Sequence, residues 1–264
     1  MDWGAFTVAV EGALLSGERR GPENDASPLV LVHGMGGQRH DWDRLVAALP
    51  ADWPLIRYDL RGFGASDADE ALPYSHTDDL LALLDAQGVE RAPLLGLSMG
   101  GGVALNFALD HPERVSRLAL ISPALVGWEW SHEWKALWRG VSQPARAGDL
   151  ALARERWWLH PMFALARQSD AAAELRAAIE AYHGRQWVRD NQRDALPDID
   201  RLHTLAPPTL LLTGAHDVAD IRLIADVIAG AAPDVARVDH ADAGHMLHLE
   251  RPREVAETLV RFLG

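Results

Sequence analysis

The chain has no cysteine at any of its 264 positions. Disulfide staples, thiolate metal sites and a cysteine nucleophile are therefore excluded together. Lysine is almost absent: Lys135 is the only one, and arginine supplies the remaining positive charge. With the many alanines, this reads as a bias of composition rather than a functional device. Positive charge is also in the minority, with 25 Lys and Arg against 38 Asp and Glu, a formal net charge of −13 at pH 7. A chain of that sign repels phosphate backbones, and no basic run offsets it, so nucleic acid is not an expected partner. No apolar run approaches the roughly 18 residues of a membrane span. The opening Met1-Asp2-Trp3-Gly4 has neither the basic nor the apolar region of a signal peptide. No membrane partner is expected, and the expected compartment is the cytoplasm. The 12 histidines are scattered without an H-x-x-x-H pair, so neither a metal nor another cofactor is expected. Nothing in the sequence marks an oligomer interface.

What is present is ample apolar material, 48% of residues, against 24% charged. That suffices for a large buried core. Residues 6–17 read as a β-hairpin turning at Glu11-Gly12, and residues 18–28 as a polar surface loop. The short apolar run Leu29-Val30-Leu31-Val32 suits a strand buried on both faces. Helix-spaced apolar positions follow over 40–49, a strand over 54–59, a helix over 74–88 closed by Gly88, a strand over 92–97, a helix over 100–110 and a strand over 115–121. Strand alternating with helix is the pattern of a parallel sheet covered on both faces. From Trp128 to about Pro197 no strand pattern appears. The alternation then resumes with a strand over 209–213, a helix over 220–229, a strand near 234–238 and a helix over 253–263. The expected organisation is one α/β core, residues 1–124 and 201–264, interrupted by a helical insertion, residues 125–200.

Residues 96–100 read Gly-Leu-Ser-Met-Gly, the G-x-S-x-G pattern of a nucleophile elbow. The chemistry needs a serine on a sharp strand-to-helix turn, and glycines two positions to either side leave room for one. An apolar strand leads in, and Gly101-Gly102 lead into a helix, so Ser98 is the candidate nucleophile. A serine needs a base, and the hydrolase order places an acid and then a histidine downstream. His245, in Asp242-Ala243-Gly244-His245-Met246, lies after the last strand and is the candidate base. His248 and His240 are neighbours with ordinary roles, the first in local packing and the second exposed at a strand end. Asp217 follows the strand over 209–213, at the carboxyl edge where open α/β sheets place their sites. It is the candidate to orient the imidazole, with Asp220 the nearby alternative or a helix cap.

An acyl-transfer site needs two hydrogen-bond donors for a developing oxyanion. The backbone N–H of Met99, after the nucleophile, is one candidate, and that of Met35, in the loop His33-Gly34-Met35-Gly36-Gly37, is the other. His33 reads as a brace for that loop. The segment Asp59-Leu60-Arg61-Gly62-Phe63-Gly64-Ala65-Ser66 lacks both the Lys-Ser/Thr ending of a P-loop and the G-x-G-x-x-G spacing of a dinucleotide site. It reads as a structural turn.

Together, H-G-M-G-G, D-L-R-G-F-G-A-S, G-L-S-M-G-G and G-H-M-L-H-L-E-R-P resemble the α/β-hydrolase superfamily, in the branch of small esterases, enol-lactonases and meta-cleavage-product hydrolases. The resemblance spans nearly all the chain outside 125–200. It implies a mostly parallel sheet flanked by helices, with the insertion as a helical cap. It also implies a Ser98, Asp217 and His245 triad with Met35 and Met99 as oxyanion donors. Serine at 98 departs from the dehalogenases and epoxide hydrolases of that superfamily, which carry aspartate there.

Seven of the ten tryptophans, residues 128, 130, 134, 138, 157, 158 and 187, lie in the insertion. The ordinary role of each is packing. As a group they suit an aromatic-lined pocket for a hydrophobic substrate, and Trp128 and Trp130 are the candidates nearest the strand end. No region reads as a carboxylate-binding cluster, so a strongly anionic substrate is not expected. The expected activity is hydrolysis of a small-molecule ester or lactone through an acyl-enzyme. Three alternatives use the same residues: hydrolysis of a carbon–carbon bond in a vinylogous diketone, a biosynthetic lyase or cyclase, and a ligand-binding receptor without turnover.

Overall fold

The computed structural model describes residues 2–21, 27–69 and 71–264. Eight strands form one sheet: β1 (Trp3–Val10), β2 (Ala13–Arg20), β3 (Leu29–Val32), β4 (Leu55–Tyr58), β5 (Ala92–Leu97), β6 (Val115–Ile121), β7 (Thr209–Gly214) and β8 (Val235–His240). Their spatial order is β1-β2-β4-β3-β5-β6-β7-β8. The first two pairings, β1 with β2 and β2 with β4, are antiparallel, and the rest are parallel. The family-like α/β layering expected from the alternation is therefore present. Strands β3, β4 and β7 are buried along their whole length, as strands covered on both faces are.

The helices are α1 (Asp43–Ala48), α2 (His76–Ala86), α3 (Met99–Asp110), α4 (His132–Arg146), α5 (Leu150–Trp158), α6 (Ala172–Ala181), α7 (Arg185–Val188), α8 (Ala219–Ala231), α9 (Leu247–Glu250) and α10 (Pro252–Leu263). Helices α4 to α7 and four short 3-10 turns fill the stretch between β6 and β7, where no strand occurs among the described residues. No helix among the described residues is long and apolar enough to cross a membrane.

The opening hairpin is longer at both ends than the sequence reading, with β1 starting at Trp3. Strand β2 continues to Arg20, so Arg19 and Arg20 are not in a loop. Both are buried: Arg19 donates to Gln87 O, and Arg20 to Pro50 O and Trp53 O. Backbone carbonyls at helix and loop ends accept from these guanidinium groups, which lets a polar strand end stay in the sheet. The expectation of a loop over 22–26 lies outside the described residues. Helix α9 has no counterpart in the sequence reading.

The chain order sets the site. From β3 the chain moves to one side for β4 and returns to the other side for β5. At such a reversal the loops leaving the two strands diverge and leave a crevice at their carboxyl ends. The loop after β3 begins at His33, and the turn after β5 holds Ser98.

Candidate active site

Ser98 sits between β5 and α3 with φ 52° and ψ −117°. A positive φ in a residue with a Cβ is strained, and here it is locked by its neighbours. The Ser98 amide donates to Ile121 O at 2.9 Å, and its carbonyl accepts from Gly102 N at 3.0 Å and Ala124 N at 2.9 Å. The flanking glycines are required by close approach. A Cβ on Gly96 would collide with the Gly100 carbonyl, and one on Gly100 would collide with Val32 O and His33 O.

The loop after β3 lies against this elbow: a Cβ built on Gly34 would be 3.4 Å from both Leu97 O and Ser98 Cβ. Two anchors hold the loop. His33 donates from Nδ1 to Gly34 O at 2.8 Å and accepts at Nε2 from Leu60 N at 3.0 Å. Burial lowers its pKa and keeps the ring neutral, which the accepting Nε2 needs. The second anchor is Asp59, fully buried, which accepts from Arg39 N at 2.7 Å and Ala65 N at 2.9 Å. The D-L-R-G-F-G-A-S segment thus fastens the loop through Leu60 and Asp59. It is itself fastened by Arg61, whose guanidinium pairs with both oxygens of buried Asp79 at 2.8 and 2.6 Å.

Asp217 and His245 come from the ends of β7 and β8. Asp217 Oδ1 accepts from Val218 N at 2.7 Å, and its Oδ2 lies 2.8 Å from His245 Nδ1. Both side chains are almost fully buried, at 0% and 2% exposure. The Nδ1–H of His245 then points to the carboxylate, which leaves Nε2 as the basic nitrogen. The His245 loop has a second support that sequence reasoning missed: Glu250 of α9 accepts from Gly244 N at 2.6 Å and from Met246 N at 3.2 Å.

Met35, Ser98, Met99 and His245 all border one cavity of about 440 Å³. Its other wall is largely aromatic, with Trp130, Trp134, Trp138, Trp157 and Phe163. The Trp130 and Trp134 rings stack at 4.3 Å, and Trp138 meets Trp157 edge-on at 6.1 Å. Trp128 is not among the residues bordering this cavity. Its indole N–H donates to Asp220 at 3.1 Å, and Ser131 donates to the same carboxylate from N at 2.9 Å and from Oγ at 2.6 Å. Burial pushes the Asp220 pKa up, but the Ser131 and Trp128 donors outweigh it, and the net shift is down. Asp220 therefore ties the approach to α4 onto the core, and Trp128 serves that tie because its N–H needs an acceptor. His160, without a role in the sequence reading, is buried beside Trp134 and Trp157 and accepts from Met162 N. Burial and then the nearby His245 lower its pKa to about 4.

The two histidines neighbouring His245 in sequence also have clear places. His248 is fully buried against the Trp42 ring at 5.0 Å, with neither nitrogen hydrogen-bonded. His240 is not exposed as expected: it is 9% accessible, with Nδ1 3.4 Å from Glu254 of α10, which covers the strand end.

Comparison with known proteins agrees with this fold. The family described as alpha/beta hydrolase fold matches residues 27–252. A protein of Bacillus subtilis (strain 168) named "Uncharacterized carboxylesterase nap" is 28% identical over 253 residues, covering 92% of this chain and 81% of that one. The 3-oxoadipate enol-lactonase 1 of Acinetobacter baylyi is 25% identical over 259 residues, covering 96% and 94%. The crystal structure of the enol-lactonase from Burkholderia xenovorans LB400 superposes with a TM-score of 0.82 at 26% identity, covering 97% of this chain and 99% of that one.

Proposed function

The chain belongs to the alpha/beta hydrolase fold family, and on that premise we propose that it is a cofactor-independent serine hydrolase cleaving an ester or lactone of a small, largely hydrophobic molecule. One observation carries this reading. His245, paired with buried Asp217, borders the same cavity as Ser98, on its strained turn, and the loop carrying Met35.

Ser98 Oγ attacks the carbonyl carbon while His245 Nε2 takes its proton. Asp217 holds the Nδ1–H tautomer and stabilises the imidazolium that forms. The N–H groups of Met35 and Met99 receive the charge that develops on the carbonyl oxygen. As the tetrahedral adduct collapses, His245 protonates the leaving oxygen and an acyl-Ser98 remains. Water, deprotonated by His245, then releases the acid and restores the serine. Residues 125–200 act as a cap, and Trp130 with the other cap tryptophans seats the apolar part of the substrate. Names of relatives that act on esters and lactones support the same bond type.

The test is a series of p-nitrophenyl esters of rising acyl length, with Ser98→Ala as control. The expected result is turnover by the native enzyme, loss of at least a thousandfold in the variant, and labelling of Ser98 by a fluorophosphonate. Labelling without ester turnover would overturn the ester reading and leave the nucleophile. Absence of both would overturn the serine mechanism.

A further inference from the structure

The cavity also carries charge, and its placement is uneven. Helix α4 supplies two adjacent rows to the wall, Trp134 with Trp138 and Lys135 with Arg139. Residues four apart share a helix face, and the two rows are one residue apart, so the cations flank the indoles. Lys135 pairs with Glu129, whose side chain is 90% exposed. Arg139 is exposed and has no hydrogen-bond or ion-pair partner among the described residues. Both cations therefore stand at the solvent end of the cavity, whereas His245, 1% exposed, stands at its floor.

Among the described residues, the one acid bordering the cavity is Asp41. Its Oδ2 accepts from Gln38 N at 3.1 Å, but burial raises its pKa to about 7. It is therefore only part ionised at neutral pH, so it offsets the positive charge only in part. In a chain of net charge −13, with Lys135 paired to Glu129, Arg139 is the uncompensated cation at the rim among the described residues. An unpaired guanidinium beside an aromatic wall is built for a planar anion on an apolar stem.

We propose, building on the serine-hydrolase reading, that the substrate is an ester or lactone whose far end carries a carboxylate, with Arg139 receiving that carboxylate and Trp130, Trp134 and Trp138 packing the stem between it and the scissile bond. This revises the expectation from sequence. Lys135 and Arg139 are isolated basic residues in an arginine-rich segment, and only the packing of α4 places them beside the cavity.

Two substrates of equal chain length test the assignment: mono-p-nitrophenyl adipate, with a free carboxylate, and p-nitrophenyl hexanoate, without one. In Arg139→Gln the ratio of kcat/KM for adipate over hexanoate is expected to fall about fivefold, mainly through KM, as for a partly desolvated ion pair at a rim. A second readout needs no turnover. In Ser98→Ala protein, 4-phenylbutyrate is expected to quench tryptophan fluorescence at lower concentration than 4-phenylbutyramide, and adding Arg139→Gln is expected to remove that preference. An unchanged kcat/KM ratio or a preference that survives the arginine substitution would overturn the proposal. Loss of all ester turnover and of fluorophosphonate labelling, with the binding preference intact, would overturn the serine-hydrolase reading and leave the anion site standing.

Discussion

Glu250 holds Gly244 by its amide nitrogen at 2.6 Å, and with its other oxygen it reaches Met246 N at 3.2 Å. The residue between those two amides is His245. The carboxylate of a short helix thus clamps the base's own backbone from both sides. Glu250→Gln keeps one acceptor and turns an NH2 toward an N–H. The expected outcome is a kcat about tenfold lower on p-nitrophenyl esters and a stability loss of about 1–3 kcal/mol in urea unfolding. A kcat equal to the native value at saturating ester would remove Glu250 from the positioning of His245.

Strain at the elbow predicts a trade between activity and stability. Ser98 holds φ 52°, a cost of order 1–3 kcal/mol for a residue with a Cβ. Ser98→Gly relieves it, less the added freedom of glycine in the unfolded chain. The variant is expected to be inactive yet more stable by about 1 kcal/mol. Equal or lower stability in chemical denaturation would show that the turn is not strained.

Much of this candidate site is legible in the sequence. The glycines at 96 and 100 and the serine between them announce the elbow because a turn this tight rejects any Cβ that would strike Val32 O or Gly100 O. Asp217 and His245 are candidates from the hydrolase order of acid and base and from a parallel sheet that delivers strand ends to one edge. Trp128 and Trp130, two residues apart, could not be separated by sequence, because what separates them is a partner 92 positions away: Asp220 takes the Trp128 N–H. Glu250 stood in plain view in G-H-M-L-H-L-E, but its role needs α9, a single turn too short to show apolar periodicity. The cations at the rim were hidden for a related reason, since a lone lysine and one arginine among many carry no local pattern.

Acid sensitivity follows from His248. Its pKa falls to about 3, by burial first and then by His245, against about 6.5 in an unfolded chain. Between these values the unfolded state holds one more proton. Stability from this group is therefore complete above pH 6.5 and is lost as pH falls toward 3. Leucine at this position removes both the titration and two unsatisfied nitrogens. His248→Leu is expected to gain about 1 kcal/mol at pH 7 and about 2 kcal/mol more at pH 5. Urea unfolding at both pH values decides it, and an identical gain at the two would rule out the buried neutral imidazole as the cause.

The tie between Asp220 and the start of α4 predicts a binding defect. Asp220→Ala removes the acceptor for Trp128 Nε1, Ser131 N and Ser131 Oγ. A stability loss of about 2 kcal/mol is expected. Because Trp130 and Trp134 flank Ser131, KM is expected to rise about threefold while kcat changes less than twofold. A change confined to kcat would instead place Asp220 in the chemistry.

The single lysine has a practical consequence. Lys135 is the one side-chain amine in the chain, and it borders the cavity on the same wall as Trp134 and Trp138. Amine-directed conjugation with a dye at a pH that deprotonates it, above the α-amine's own range, therefore labels one side chain besides the terminal amine, at the entrance of the cavity. The cap tryptophans beside it are natural energy donors to such a dye. The native chain thus carries, without any engineered cysteine, an attachment point for an optical reporter of cavity filling.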